Sequence, residues 1–294
     1  MKYRLIHTTE FTYEAPVGNC YNEARLLPRS LAYQKVLSST LEIDPIPNDR
    51  FDRLDYFGNP TTYFAIQQPH EMMCVRAESE LELSSRPLPV VPTPPWESVA
   101  TTLQQGGLPE EIEARQYLLD SPMVLVSPEL ADYANPSFLP DRPIAEAVGD
   151  LMQRIFREFK YEPGFSTIAT PLRDVILHKK GVCQDFAHLA IGCLRAKGLA
   201  ARYMSGYIET VPLPGKEKMI GADASHAWFA VYIPGSGWLE FDPTNNQLPS
   251  DQHLVLAWGR DFSDVSPLKG VAYGGGEHEL KVAVDVIPQA EAGN

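Results

Sequence analysis

Cys183 sits in Lys180-Gly181-Val182-Cys183-Gln184-Asp185-Phe186-Ala187-His188-Leu189. The glycine is expected to end one helix and the cysteine to stand at the mouth of the next. A thiol there feels unsatisfied backbone N–H groups and the positive end of the helix dipole, which both favour the thiolate. A free cysteine is more often inert packing, so position alone leaves both readings open. His226, in Asp223-Ala224-Ser225-His226-Ala227-Trp228, leads directly into a run of aromatic and β-branched residues and so stands at a strand edge. Asp242 closes a short strand in Gly237-Trp238-Leu239-Glu240-Phe241-Asp242-Pro243-Thr244-Asn245, where Pro243 stops it. Pro234-Gly235-Ser236-Gly237 reads as the hairpin turn between the two strands. In that hairpin His226 and Asp242 lie at the open end of adjacent antiparallel strands. An aspartate holding one imidazole nitrogen while the other faces a thiol is the arrangement that activates a nucleophile for acyl transfer.

Other reactive residues carry less. Asp185 and His188 share a face of the helix after the cysteine. No further ligands are spaced to join them, so no metal site is expected and His188 reads as a hydrogen-bonded structural residue. Cys193, inside the same helix, reads as core. Gly274-Gly275-Gly276 lacks the following Lys-Ser/Thr and adjacent helix of a phosphate cradle and reads as a turn. The polar stretch 260–266 is not explained by packing and is a candidate to line a cleft.

Positioning these residues takes two kinds of scaffold. Proline makes up 26 of 294 residues, and five fall within 86–95. That run cannot supply helix or central-strand donors and is expected to be an extended linker over 86–98. Before it, residues 1–85 read as β. Val75 to Leu83 alternates apolar and polar apart from Ser79, which predicts an antiparallel β-sandwich with one face wet. Its acidic residues, His7 and His70 are expected on the solvated face. After the linker, residues 99–294 form the expected second domain, with a core over 143–250 and a C-terminal extension over 251–294. Helices are predicted from Pro109, over 143–159, over 171–180 and over 184–198. Strands are predicted over 200–208, 227–233, 238–241, 254–258 and 279–286. Helices first and strands after indicate α+β.

Composition bounds the partners. Acidic residues number 38 against 25 basic, a net charge of −13, which argues against nucleic acid or an anionic membrane. No apolar run approaches the ~18 residues of a membrane span. The N-terminus reaches His7 and polar residues too soon for a signal-peptide core. The four cysteines (Cys20, Cys74, Cys183, Cys193) show no paired spacing, so free thiols and a cytoplasmic location are expected.

Taken together, Gly-Val-Cys183-Gln-Asp-Phe-Ala, Ser-His226-Ala-Trp and Phe-Asp242-Pro-Thr-Asn resemble, in that order, the core of the transglutaminase-like family of papain-like cysteine enzymes. The chain also resembles a bacterial subgroup of transglutaminase-like cysteine proteases with their own N-terminal β domain. Residues 1–85 fit that domain, and 259–267 with 274–278 fit the subgroup's C-terminus. The resemblance implies a papain-like, transglutaminase-like α+β core with Cys183 as nucleophile, His226 as general base and acid, and Asp242 as its orienter. The backbone N–H of Cys183 would donate to the oxyanion. Relatives take a second donor from an upstream glutamine, tryptophan or tyrosine. Residues 172–182 hold no glutamine, which leaves Tyr161 as a candidate and Gln184 as a poorer one. Trp228 and Arg260 are candidates to line the substrate cleft. The implied activity is cysteine-dependent acyl transfer on peptide or amide bonds of a peptide or protein substrate, with hydrolysis favoured because water is the ubiquitous acceptor. Transfer to an amine, as in a transglutaminase, is the alternative. A binding module that kept the fold is a third reading, disfavoured by the presence of all three residues. No cofactor is expected; calcium is not suggested, since no acidic loop of EF-hand type is present.

Overall fold

The computed structural model describes residues 1–86, 92–167, 170–209 and 225–289. The chain opens with β1 (Lys2–Ala24), then β2 (Gln34–Asp44), β3 (Asp49–Leu54), β4 (Pro60–Ile66) and β5 (His70–Leu83). Helices follow: α1 (Trp96–Gln105), α2 (Pro109–Arg115), α3 (Pro128–Ala134) and α4 (Ile144–Glu158). Next come β6 (Lys160–Tyr161), α5 (Leu172–His178), β7 (Lys180–Gly181), α6 (Cys183–Ala196), β8 (Ala201–Ile208), β9 (Ser225–Ile233) and β10 (Gly237–Phe241). The chain closes with β11 (His253–Gly259), α7 (Phe262–Val265), β12 (Leu268–Gly274) and β13 (His278–Gln289). The fold is α+β, with an antiparallel N-terminal β layer followed by a core of helices and an antiparallel sheet.

In β5, Val75, Ala77, Leu81 and Leu83 are all buried, as a period of two demands. The layer is one hydrogen-bonded sheet folded about β1 rather than two separate sheets. β1 is continuous through both halves, pairing with β5 along its first half and with β4 along its second. Its other edge is filled from the far end of the chain. β13 pairs with Lys2–Tyr13 and β12 with Val17–Ala24. The expected division, which assigns 251–294 to the catalytic domain, therefore fails for these strands. The reason is pairing: β1 exposes a long row of backbone donors and acceptors that must be covered. Gly274, Gly275 and Gly276 all have positive φ and keep the β12–β13 run in register with β1. They form a kink beside β1, not a chain-reversing turn.

Two further expectations change. His7 and His70 are buried instead of solvated. His7 is held by hydrogen bonds between Tyr207, whose hydroxyl lies 2.8 Å from Nδ1, and Thr9. Residues 87–91 of the proline-rich run lie outside the described residues, and α1 already begins at Trp96, within the expected linker. Pro95 precedes it at the cap, where a missing N–H costs nothing.

The second layer is an antiparallel sheet in the order β10-β9-β8-β11. Ala227, Phe229 and Val231 of β9 join one core with Phe186, Ala187, Ala190 and Leu194 of α6 and the apolar stripe of α4, Val148, Leu151, Met152 and Ile155. Tyr207, Leu254 and Leu256 of this sheet pack with Tyr3, Leu5, Val284 and Val286 of the first. The N-terminal layer is thus joined to the strands that carry the site.

Candidate active site

α6 begins at the cysteine because Asp185 caps it: Oδ2 accepts the Val182 N–H at 2.8 Å and also the Ser166 hydroxyl. Gly181 has a different role from the helix stop expected of it. α5 ends at His178, with Lys179 in the left-handed region at φ 52°. Gly181 lies in β7, where a Cβ would come within 2.8 Å of Asp185. The cap and the glycine together fix how the Cys183 backbone enters the helix. Cys183 is half-buried, and all four cysteines are free thiols.

The hairpin of β9 and β10 pairs Gly237 with Ile233 and Phe241 with Phe229. Its open end brings His226 Nε2 to 2.8 Å from Asp242 Oδ2. Cys183 lies close enough to His226 to help raise the pKa of its imidazole. With Nε2 on the carboxylate, Nδ1 is the nitrogen left to face a thiol. Burial alone would lower the His226 pKa, but its bond to Asp242 and the neighbouring Cys183 outweigh this and raise it to about 9.

Asp242 is fully buried and surrounded by donors. Oδ1 accepts the N–H groups of Thr244 and Asn245 at 3.0 and 3.2 Å. Oδ2 accepts His226, the Asn245 amide at 2.8 Å and His253 Nε2 at 3.0 Å. Burial would raise the carboxyl pKa, yet these donors hold it well below the usual carboxylate range. His253 and Asn245 were not singled out by the sequence reading. Asn245 had a signal, three residues past Asp242 in the same turn. His253 had none, because it arrives on β11, whose place beside β8 depends on the whole sheet. His226, Asp242 and His253 come close enough to suggest a metal triad. Both Nε2 atoms, however, point at one carboxylate oxygen at hydrogen-bond distance, so each carries a proton for that oxygen instead of a lone pair for an ion.

The remaining candidates divide. Tyr161 is brought to the cysteine by the parallel pairing of β6 and β7, which sets Tyr161 against Gly181. Burial, with the charges of Cys183 and Asp185, pushes its hydroxyl pKa up, so it is a neutral donor. Gln184 lines a cavity against α3 and α5 that none of Cys183, His226 and Asp242 lines. Trp228 does not line a cleft. Its ring is fully buried, stacks behind His226 at 5.8 Å and donates Nε1–H to Glu240 at 2.6 Å. A wide indole fits there because Gly206 lies beneath it, where a Cβ would meet the ring at 2.8 Å. Arg260 is also misplaced by the sequence reading. It follows β11 at the end opposite His253, pairs with Asp264 at 2.9 Å and lines a separate polar cavity with Arg25 and Asp55. His188 is a buried, hydrogen-bonded residue as expected, its Nε2 accepting the Phe262 N–H at 3.1 Å.

Residues 3–82 match the bacterial transglutaminase-like N-terminal region, and residues 132–243 match the transglutaminase-like superfamily. An uncharacterized protein of Mycobacterium tuberculosis is 41% identical over 296 residues, covering 98% of this chain and 93% of the relative. The chain belongs to the transglutaminase-like superfamily. A crystal structure from Cytophaga hutchinsonii, assigned provisionally to the cysteine proteases, shares the fold at a TM-score of 0.77 and 19% identity, covering 99% of this chain and 92% of that one. A protein-glutamine gamma-glutamyltransferase of Pseudomonas aeruginosa is 28% identical over 137 residues, 42% of this chain and 20% of the relative. The Cys183, His226 and Asp242 segments of this superfamily member are the ones its fold assembles.

Proposed function

We propose that this superfamily member is a cysteine-dependent acyl-transfer enzyme that hydrolyses peptide or amide bonds. The observation that supports the reading is the His226–Asp242 pair, bonded at 2.8 Å, with Cys183 at the start of α6 near enough to help raise the His226 pKa. A cationic imidazole beside a thiol favours its anion, and Asp242 supports the cation. The Cys183 sulfur attacks the amide carbonyl, and the developing oxyanion meets the Cys183 backbone N–H, with the Tyr161 hydroxyl as a second donor. His226 gives its proton to the leaving nitrogen as the C–N bond breaks, leaving a thioester on Cys183. Water then attacks the thioester, with His226 taking a proton from it and returning one to the sulfur. Trp228 and Gly206 keep the imidazole ring from tilting out of this path.

A primary amine could replace water in the second half, and the name of the Pseudomonas aeruginosa relative favours that second reading. Mass spectrometry of glutamine-containing peptides, with and without an amine donor, separates the two. Hydrolysis predicts cleaved or deamidated products that are unaffected by the amine. Incorporation of the amine as the main product would establish the transglutaminase alternative.

A further inference from the structure

Arg86 and Glu240 form an ion pair buried between the two layers, each side chain 8% exposed, and the acyl-transfer steps above make no use of it. Arg86 follows β5 into the proline-rich run, and Glu240 lies on β10 two residues before Asp242. Replacing a buried ion pair by well-packed apolar side chains is often neutral or stabilising, so stability alone is a weak reason for this one. Both partners reach the groups that pack around Asp242.

Glu240 Oε2 accepts the Trp228 Nε1–H at 2.6 Å. The Trp228 ring in turn lies stacked on His226 at 5.8 Å and edge-on to His253 at 5.3 Å. Glu240 Oε1 accepts the Tyr33 hydroxyl and pairs with the Arg86 guanidinium, which lies over the Tyr33 ring at 4.3 Å. Arg86 also donates from Nη2 to the His253 backbone oxygen at 2.7 Å, and from Nε to that of Ser250 at 3.1 Å. Gln34, next to Tyr33, brackets Val255 of the same strand, donating to its carbonyl oxygen at 2.7 Å and accepting its N–H at 2.8 Å. The β11–β8 register shifts between Val255 and Ala257, and the Gln34 amide takes up the Val255 backbone groups at that bulge.

We infer that Arg86 is a positioning residue, fixing the His226 ring through Glu240 and Trp228 and the second imidazole on Asp242 through the His253 backbone, so that the N-terminal layer completes the active site. The inference rests on the acyl-transfer reading above. Ring stacking alone sets a distance but only weakly sets direction, whereas a hydrogen bond to an ionised carboxylate is short and directional. Held by Glu240, the indole keeps one orientation behind His226. Without Arg86, the Glu240 carboxylate loses its buried counter-charge, and both the indole and the His253 strand lose a fixed partner. A misplacement of about 1 Å at a catalytic group costs up to ~10²-fold in rate.

The test compares Arg86→Gln, which removes the charge, with Arg86→Lys, which keeps it, in the full chain. Tyr33→Phe, which takes only one hydroxyl from Glu240, serves where Arg86→Gln fails to fold. Imidazole NMR titration reads His226, and limiting iodoacetamide with peptide mass reads Cys183 against Cys74. Arg86→Gln should slow modification of Cys183 about 10–100-fold and leave Cys74 unchanged. The His226 pKa should fall in that variant from about 9 toward ~6.5. Arg86→Lys should recover most of both readings, and Tyr33→Phe should move both in the direction of Arg86→Gln by less. A lower melting temperature in Arg86→Gln with both readings native would make the pair a tie between layers and overturn the positioning role. Native readings in Tyr33→Phe where Arg86→Gln does not fold, or equal losses in Arg86→Gln and Arg86→Lys, would overturn it as well. If Cys183 of the wild type reacts no faster than Cys74, the acyl-transfer reading itself fails, and the positioning role with it.

Discussion

Replacing Asp242 by asparagine keeps the side chain's size and reverses half of its chemistry. In the native site Oδ1 takes two backbone N–H groups, while Oδ2 takes His226, His253 and Asn245. An asparagine oxygen can satisfy only one of these sets. Retained by the backbone donors, it turns its NH₂ toward three other donors, and His226 must present a bare Nε2 with its proton on Nδ1. That tautomer places a proton where the base must accept one from Cys183. The equivalent aspartate-to-asparagine change in a serine-protease triad costs about 10⁴-fold in kcat. A loss of similar order is expected here, with a measurable residual rate. The His226 pKa should fall from about 9 toward the ordinary ~6.5, a change worth about 3 kcal/mol. Imidazole NMR titration of the wild type and Asp242→Asn reads both the pKa and the tautomer without a substrate. A His226 that titrates near ~6.5 in both proteins, or keeps its tautomer in the variant, would refute the reasoning.

His253→Leu removes one donor from Asp242 and should slow modification of Cys183, while His253→Gln, which keeps an N–H, should largely restore it; equal rates in the two variants would show that the donor is immaterial. Burial lowers the pKa of His7 and His188 to about 4 each, so the unfolded chain binds protons more readily than the native one between the two values. Their stability contribution is complete above the unfolded value of ~6.5 and declines toward ~4, by about 3 kcal/mol per residue, whereas that of His226 is complete below ~6.5 and declines as pH rises through 9. Thermal melts should therefore be highest near neutrality, and a melting temperature that is flat from neutral pH down to ~4 would contradict this. A chain ending at Pro267 loses β12 and β13, including buried Val284 and Val286, at about 3–6 kcal/mol for those side chains alone. It should be insoluble or melt far lower than the full chain; an unchanged melt would show that the N-terminal layer stands without its C-terminal strands.

Much of this was legible because local signals and tertiary structure agree. The period of two in β5, the apolar stripe of α4 and the Pro234–Gly237 turn each act within one element, and each element formed near its expected bounds. Cys183, His226 and Asp242 were readable because a helix start and one hairpin suffice to place them. What escaped depended on pairing between distant strands. Nothing near residue 270 indicates that 268–289 will complete the edge of β1, and nothing near His253 indicates the aspartate it meets. His7 seemed a surface residue on polarity alone, since its partner Tyr207 lies on another sheet. Trp228 and Arg260 were placed in the cleft by proximity in sequence to motif residues, whereas Trp228, on the same face of β9 as His226, is covered by Glu240 and His253 from β10 and β11, and the length of β11 carries Arg260 away.

Selective alkylation tests the central claim most directly. Cys20 and Cys193 are buried, and burial pushes the Cys193 thiol up to about 12, so Cys74, half-buried like Cys183, is the internal control. With limiting iodoacetamide at neutral pH, peptide mass should show Cys183 modified well before Cys74, and His226→Ala should abolish that lead while leaving the Cys74 rate unchanged. Modification of Cys183 no faster than Cys74, or a lead that persists without His226, would contradict a thiol activated by His226 and Asp242.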